Sequence, residues 1–446
     1  MYISRVTLEN VRAFSGPRNV DLTLTRPDGS HAGWTVLAGR NGSGKTSLVR
    51  AMALAASAPF VAVSLVTDFR LWITIGRSDA KAEVQVVPDY RADSSSVPDS
   101  ERLDRLTTAL RWSIDGVRGR TRPGGEVWPV GLTDHSSANG PWQQNSTGWF
   151  CAGYGPFRRL VGGAGHLSSA GFVGRLASLF HEDASLTEGV QWLVEQHLRA
   201  LEGQPGAQEL KQAALSVLGD GLLPDKYQVS DVNSEGLWVV SDGHRFPLRE
   251  MSDGYRTVAA LVVDLLKQLD EAFPGGLALQ SIDGVPAVLA PGVVIIDEID
   301  AHLHVSWQKR IGGWLKAHFP NIQFIVTTHS PYICQAADPG GLIRLPGPSE
   351  DQPPCVVDQD LYDRVVYGSG DDAVLSELFG LDSPYSEQAE ELRDRLVALE
   401  VRVMRDQASE AEIAEYRALR RRLASSPATR AEEVAARLRA DSEPDA

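Results

Sequence analysis

Gly39-Arg40-Asn41-Gly42-Ser43-Gly44-Lys45-Thr46 is the stretch whose reading decides the fold. It has the G-x-x-x-x-G-K-[ST] spacing of a P-loop. Before it, Trp34-Thr35-Val36-Leu37-Ala38 is a short apolar run with β-branched residues, which reads as a buried strand. After it, residues 47–55 are rich in good helix formers. Strand, glycine loop and helix in this order put a helix N-terminus under a phosphate chain. The glycines let the backbone approach and aim its N–H groups inward. Lys45 is expected to neutralise β/γ-phosphate charge, and the Thr46 hydroxyl to ligate Mg²⁺. Arg40, Asn41, Ser43 and Ser47 complete the expected nucleotide-binding set. A chance glycine turn is the alternative, and a second motif downstream argues against it.

Working outward, 446 residues suffice for one large or two medium domains. Apolar content of 43% and charged content of 23% are ordinary for a soluble globular chain with a sizeable core. The net charge of −15 means that nucleic-acid binding would need a local basic patch. Cys151, Cys334 and Cys355 are far apart and form no C-x-x-C pair, which argues for a reducing compartment and against a disulfide framework or zinc hook. The N-terminus lacks a signal-peptide pattern. The longest apolar run, residues 51–66, is broken by Pro59 and is short of the roughly 20 residues a membrane span needs. A cytoplasmic protein with no membrane partner is expected.

Residues 3–11 alternate as a half-buried strand does, and residues 20–24 read as a second strand. Residues 71–75 and 82–86 are expected to form an antiparallel hairpin. Residues 91–148 look like an insertion with short strands and loops, where Arg111, Arg118, Arg120 and Arg122 read as a solvated face rather than a phosphate contact. Residues 149–159 read as a strand running into a turn, and residues 180–201 as a helix that Thr187 could cap. Residues 227–229 and 237–240 suggest another hairpin.

Met251-Ser252-Asp253-Gly254-Tyr255-Arg256 opens a strong helix, with Ser252 placed to cap it. A Ser and a Gly before a helix N-terminus make a second phosphate-binding geometry. Val293-Val294-Ile295-Ile296-Asp297-Glu298 is a β-branched run ending in two acids. Such a strand is buried on both faces, and two terminal acids are costly unless they bind something. With a P-loop present this reads as a Walker B, Asp297 holding Mg²⁺ and Glu298 polarising the attacking water. His302 and His304 are too ill-placed on a helix for a shared metal and suit an interface or hydrogen-bonding role. Residues 307–318 read as a helix. Residues 322–330 read as a buried strand whose end carries His329 to the same sheet edge as Glu298, within reach of a γ-phosphate. Residues 342–345 look like a closing strand, followed by an acidic, proline-rich loop. In the tail, Leu392, Leu396, Leu399 and Val403 form one helical stripe, and Ile413, Tyr416, Leu419 and Leu423 another. Ser409 with Glu412 is a capping box between them, and residues 429–432 repeat it.

Taken together, residues 39–46, 252–256, 293–298 and His329 resemble the ABC-type ATPase heads of the SMC and RecF class. There residues 251–255 match the signature motif, with Asp253 and Tyr255 altering the usual second-glycine pattern. Asp300 matches the D-loop and His329 the switch histidine. Residues 152–158, 178–180, 297–304 and 319–331 are also similar to a bacterial AAA-family subgroup that includes the ATPase subunits of Septu-type and some retron antiphage systems. The resemblance implies an α/β fold: a head with a mostly parallel sheet, flanking antiparallel strands, an inserted irregular and helical region, and a C-terminal helical extension. The implied division is 1–90, an N-terminal ATPase lobe; 91–245, the insertion; 246–345, a C-terminal ATPase lobe; and 346–446, loop and helical tail. It also implies a homodimer or higher oligomer in which Ser252, Asp253, Gly254 and Tyr255 of one subunit close over ATP and Mg²⁺ on the other. An HNH nuclease subunit is the implied partner. Gln143 and Gln144 are the candidates for a Q-loop glutamine. No nuclease centre is visible in the chain itself.

Three functions fit: an ATPase controlling a nuclease in antiviral defence, a standalone RecF-like DNA-repair ATPase, and a slowly hydrolysing nucleotide-sensing scaffold. A transporter nucleotide-binding subunit fits poorly, given the insertion and the helical tail.

Overall fold

The expected P-loop strand forms, and all five residues of Trp34–Ala38 are buried. In this computed structural model the described residues are 1–93, 102–114, 130–133, 148–158, 171–182, 184, 186–223, 226–273, 277, 279–381 and 383–423. Trp34–Ala38 lies inside a six-stranded sheet. Its order is Cys355–Val356, Leu342–Arg344, Trp34–Ala38, Ile322–Thr328, Gly292–Ile296 and Cys151–Tyr154. Every pairing is parallel except that of the Cys355–Val356 edge. The β-branched runs read in the sequence are its central strands, and both Gly292–Ile296 and Ile322–Thr328 are buried throughout.

Alternate residues of these strands feed two different cores. Val36, Val294, Ile296, Phe324 and Val326 face one core, which includes much of the long helix Asp253–Ala272. Leu37, Val293, Ile295 and Ile325 face the other, with the helix Lys45–Ala56 and a second sheet. Full burial of each Val or Ile side chain stabilises by about 1.5–3 kcal/mol relative to exposure, which accounts for apolar runs without polar alternation.

The second sheet is antiparallel, ordered Val20–Thr23, Tyr2–Glu9, Asp79–Val87, Leu106–Ser113 and Val130–Thr133. The expected hairpin partner at residues 71–75 is not a strand. Phe69–Trp72 is a 3₁₀ turn, started by Asp68, whose carboxylate accepts from the Arg70 N–H. Phe69 and Trp72 turn inward while Leu71 and Ile75 are exposed. The backbone there is tied to residues 10–12 instead, with Arg12 N donating to Trp72 O and Thr74 N to Asn10 O. The expected helix at residues 180–201 is present only from Thr187 to Leu201, and Phe180 instead ends an earlier helix, Phe172–Phe180. Leu176 and Leu179 pack on the antiparallel-sheet side, whereas Leu186 and Leu193 enter the opposite core. The chain crosses over between them, and Leu186, not Thr187, occupies the N-cap.

A three-stranded meander of Gln228–Asn233, Gly236–Ser241 and His244–Pro247 precedes Asp253–Ala272. The expected helix at residues 307–318 is two, Val305–Gln308 and Ile311–His318. Contacts divide the chain after Gly380. In the C-terminal unit, Glu387–Met404 and Glu410–Arg422 form a helical hairpin. The Ser409–Glu412 capping box is present, and Arg395 makes a two-point ion pair with Glu415. The second box at residues 429–432 lies outside the described residues. Among the described residues no helix is long and apolar enough to cross a membrane.

Candidate active site

The P-loop turns on two glycines with left-handed backbone: Gly42 has φ 77° and Gly44, the N-cap of Lys45–Ala56, has φ 98°. Gly44 is also sterically required. A Cβ there would come within 2.6 Å of the Phe14 ring, and one at Gly39 within 2.4 Å of Leu345 O. Lys45 Nζ donates to Gly39 O (2.7 Å) and Arg40 O (3.1 Å). Burial pushes the Lys45 ammonium down to about 8, while Asp297, Glu298 and Asp300 draw it back up. The Ser43 hydroxyl is buried with no hydrogen-bond partner. A buried orphan of this kind calls for a ligand, and a phosphate oxygen suits it. Arg40 donates to Gly380 O (2.5 Å), while Asn41 is exposed and Thr46 and Ser47 are half-buried on the first helical turn.

The acids sit at the matching edge. Strand register pairs Ala38 with Thr328, and Ile296 with Val326 and Tyr154. Gly39, Asp297, Glu298 and His329 therefore leave the same C-terminal edge of the parallel sheet. Asp297 is 1% exposed. Thr327 Oγ1 donates to Asp297 Oδ1 (2.6 Å) and accepts from the Glu298 N–H (2.8 Å). Glu298 has φ 48°, a conformation that costs a residue with a Cβ roughly 1–2 kcal/mol. Asp300 Oδ1 accepts from Thr328 Oγ1 (2.5 Å) and from His329 N (3.4 Å). Burial, then the nearby Lys45 charge, lower the His329 pKa, against an upward pull from Asp300, Glu298 and Asp297. The ring is accordingly biased towards its neutral form.

For Mg²⁺ the edge offers hard oxygen donors, the Thr46 hydroxyl and the Asp297 carboxylate. A sparse donor set fits an ion that keeps several waters and takes its other ligands from phosphates. Among the described residues no cluster of three or more His, Cys, Asp or Glu forms a separate metal site.

Ser252 stands at the N-cap position of Asp253–Ala272, but its hydroxyl makes no capping bond. Side-chain capping by Ser252 is thus corrected: the exposed hydroxyl is left for other partners. Asp253 is paired with Arg256 one turn on, and the Tyr255 ring lies 6.2 Å from that of Tyr227. A Cβ on Gly254 would fall 2.3 Å from His302 O, so the start of helix Asp253–Ala272 packs on the turn that follows Glu298. His304 serves as a hydrogen-bonding group, its ring accepting from Ser306 N at the N-cap of Val305–Gln308. Arg111 lies 3.9 Å from Asp79. Arg118, Arg120, Arg122, Gln143 and Gln144 lie outside the described residues.

Three groups were not expected from the sequence. Arg158, 4% exposed, donates to the carbonyls of Gly155, Asp297, Glu298, Ile299 and Ala301. Burial lowers its pKa to about 10 against the pull of Asp300, Asp297 and Glu298. Arg12 lies over Trp72 at 4.0 Å and donates to Ser47 Oγ (3.4 Å). Tyr154 Oη donates to Asp264 Oδ2 (2.9 Å) on helix Asp253–Ala272, and burial raises Asp264 to about 6. In the sequence Arg158 stands out only as one of two adjacent arginines, and nothing local tells which carbonyls it meets.

Comparison with known proteins adds relatives. A family model described as "AAA domain, putative AbiEii toxin, Type IV TA system" matches residues 67–335, and one described as "AAA domain" matches residues 5–62. The chain is 44% identical over 89 residues to the Retron Ec83 probable ATPase of Escherichia coli, covering 20% of this chain and 15% of that protein. It is 25% identical over 331 residues to the Septu protein PtuA of Bacillus mycoides (strain KBAB4), covering 74% of this chain and 38% of the relative. The chain thus spans well under two thirds of the length of these relatives. A crystal structure of an SMC head bound to the C-terminal winged-helix domain of ScpA aligns with 80% of this chain and 98% of its own, at 15% identity and a TM-score of 0.46.

Proposed function

The chain belongs to this AAA domain family, and from that premise we propose that it binds ATP with Mg²⁺, hydrolyses it, and uses the cycle to control a partner effector. One observation carries the reading: the loop that leads to Lys45, the Asp297–Glu298 pair and His329 leave one edge of one parallel sheet, and the two acids act on the Lys45 charge. Lys45 exchanges its two loop carbonyls for phosphate oxygens. The Glu298 carboxylate orients a water and takes up its proton as it attacks the γ-phosphorus. His329, held at its backbone by Asp300, donates a hydrogen bond to the γ-phosphate. Mg²⁺, held by Thr46 and Asp297, would supply charge neutralisation on the phosphates. Ser252 and Gly254 are exposed or half-exposed, and the Lys45 ammonium bonds within its own loop rather than to them, which favours a site closed by a second copy of the chain.

Relationship to a Septu protein and a retron ATPase favours an effector role in antiphage defence, with a nuclease subunit of the HNH type as the effector. Direct binding of DNA is not required by this reading. The experiment is ATP turnover by wild type and Glu298→Gln. A loss of about 10²–10³-fold in kcat, the scale of general-base removal, is expected, with ATP still bound. Equal turnover by the two proteins would refute hydrolysis at this site.

A further inference from the structure

The turn of residues 297–301 directs four carbonyls, those of Asp297, Glu298, Ile299 and Ala301, at a single guanidinium. Consecutive carbonyls turned to one side repel one another. Glu298 O accepts from Ala301 N (2.9 Å) across the turn, and the carbonyls of Asp297 and Ile299 are buried and need donors. Arg158 supplies them from two nitrogens. Nη1 reaches Gly155 O (3.3 Å) and Asp297 O (3.3 Å), and Nη2 reaches Glu298 O (3.0 Å), Ile299 O (3.3 Å) and Ala301 O (3.4 Å). The left-handed backbone of Glu298 lies within this ring. That backbone sets the direction in which the Glu298 carboxylate leaves the sheet edge.

We infer that Arg158 is a positioning residue, whose guanidinium holds the Glu298 backbone in its left-handed turn and so aims the carboxylate at the reacting water. The inference rests on the hydrolytic reading above. A planar fork with fixed donor directions suits converging carbonyls, whereas a lysine ammonium is a point donor that cannot span them. The same segment continues the tie outward: Asp297 N donates to Tyr154 O, and Tyr154 reaches Asp264 on helix Asp253–Ala272. Among the described residues, no hydrogen bond of Arg158 goes to the P-loop, so nucleotide affinity is expected to survive its loss.

The test uses the full chain, with Arg158→Lys and Arg158→Ala beside wild type and Glu298→Gln. ADP binding is measured by calorimetry, and hydrolysis by single turnover of labelled ATP per bound site. Arg158→Lys is expected to bind ADP at full stoichiometry within about threefold of the wild-type Kd while its single-turnover rate falls about 10²-fold, the scale of a misplaced catalytic group. Added methylguanidinium is expected to restore part of the rate to Arg158→Ala. A single-turnover rate within about threefold of wild type, or loss of ADP stoichiometry in both variants, would overturn the inference, the latter by showing a role in folding only. If Glu298→Gln turns over as fast as wild type, the hydrolytic reading falls and takes this inference with it. If Glu298→Gln is slow and Arg158→Lys is not, only the inference falls.

Discussion

Lys45 is the group whose ionisation is most exposed to the arrival of nucleotide. Its pKa of about 8 is set by burial, only partly offset by three carboxylates. Phosphate oxygens add negative charge beside it and raise that value. Binding of ATP or ADP is therefore expected to take up protons through Lys45 at pH 8–9, and almost none through this group at pH 6.5, where Lys45 is already protonated. Calorimetry in buffers of different ionisation enthalpy measures this directly, and Lys45→Ala is expected to abolish the uptake. The sign for stability is equally definite. The folded pKa lies below the value of 10.5 for the free side chain. Between about pH 8 and 10.5 the unfolded chain holds more protons, so this group's contribution to stability rises with pH across that window. At the same scale, what the sequence revealed depended on range. The P-loop and the Asp297–Glu298 pair are contiguous patterns and could be read directly. Arg158 could not, because most of its partners are carbonyls 139 to 143 residues away in the chain.

Among the elements, helix Asp253–Ala272 and the turn after Glu298 are joined at Gly254. A methyl group there would have to displace the His302 carbonyl. Gly254→Ala is expected to cost about 1–3 kcal/mol, the range for overpacking a closed contact, and to lower the thermal midpoint. Gly313→Ala is the control: it lies in helix Ile311–His318 with nothing near its missing Cβ. There the change is expected to stabilise by up to about 1 kcal/mol. Equal effects on the melting curve would refute the close-packing argument. Elements also show where local pattern misleads. Residues 71–75 alternate like a strand, yet the Asp68 cap and the ties to residues 10–12 make a 3₁₀ turn. The apolar residues 186–194 serve a single core, yet Phe180, read in the sequence as part of the same helix, ends a separate helix that packs on the other side of the sheet. Periodicity reports that a residue is buried, not which core receives it.

At the scale of the whole molecule, the proposed site is half of a pair. The Lys45 side of one copy and the Ser252 side of another would be required together. Lys45→Ala and Ser252→Arg proteins, each inactive alone, are therefore expected to recover part of the ATPase activity when mixed. At most about half of the sites in a mixed dimer can be intact, so recovery is expected well below wild type. No recovery from two folded variants would argue against a shared site. The wide spread of burial across both faces of the parallel sheet was legible from its apolar strands. The division of contacts after Gly380 was not, because residues 359–366 and 370–374 are helices that belong with the first unit rather than the tail.

Position 298 also sets two selective pressures against each other. A glycine would adopt its positive φ without a Cβ penalty, so a search for more stable variants would favour Glu298→Gly. The same change would remove the carboxylate assigned to the reacting water. A library sorted for thermal tolerance alone would thus drift towards chains that hold nucleotide and do not consume it. On the proposed mechanism, the left-handed glutamate marks a place where the fold gives up stability to keep a reactive group in position.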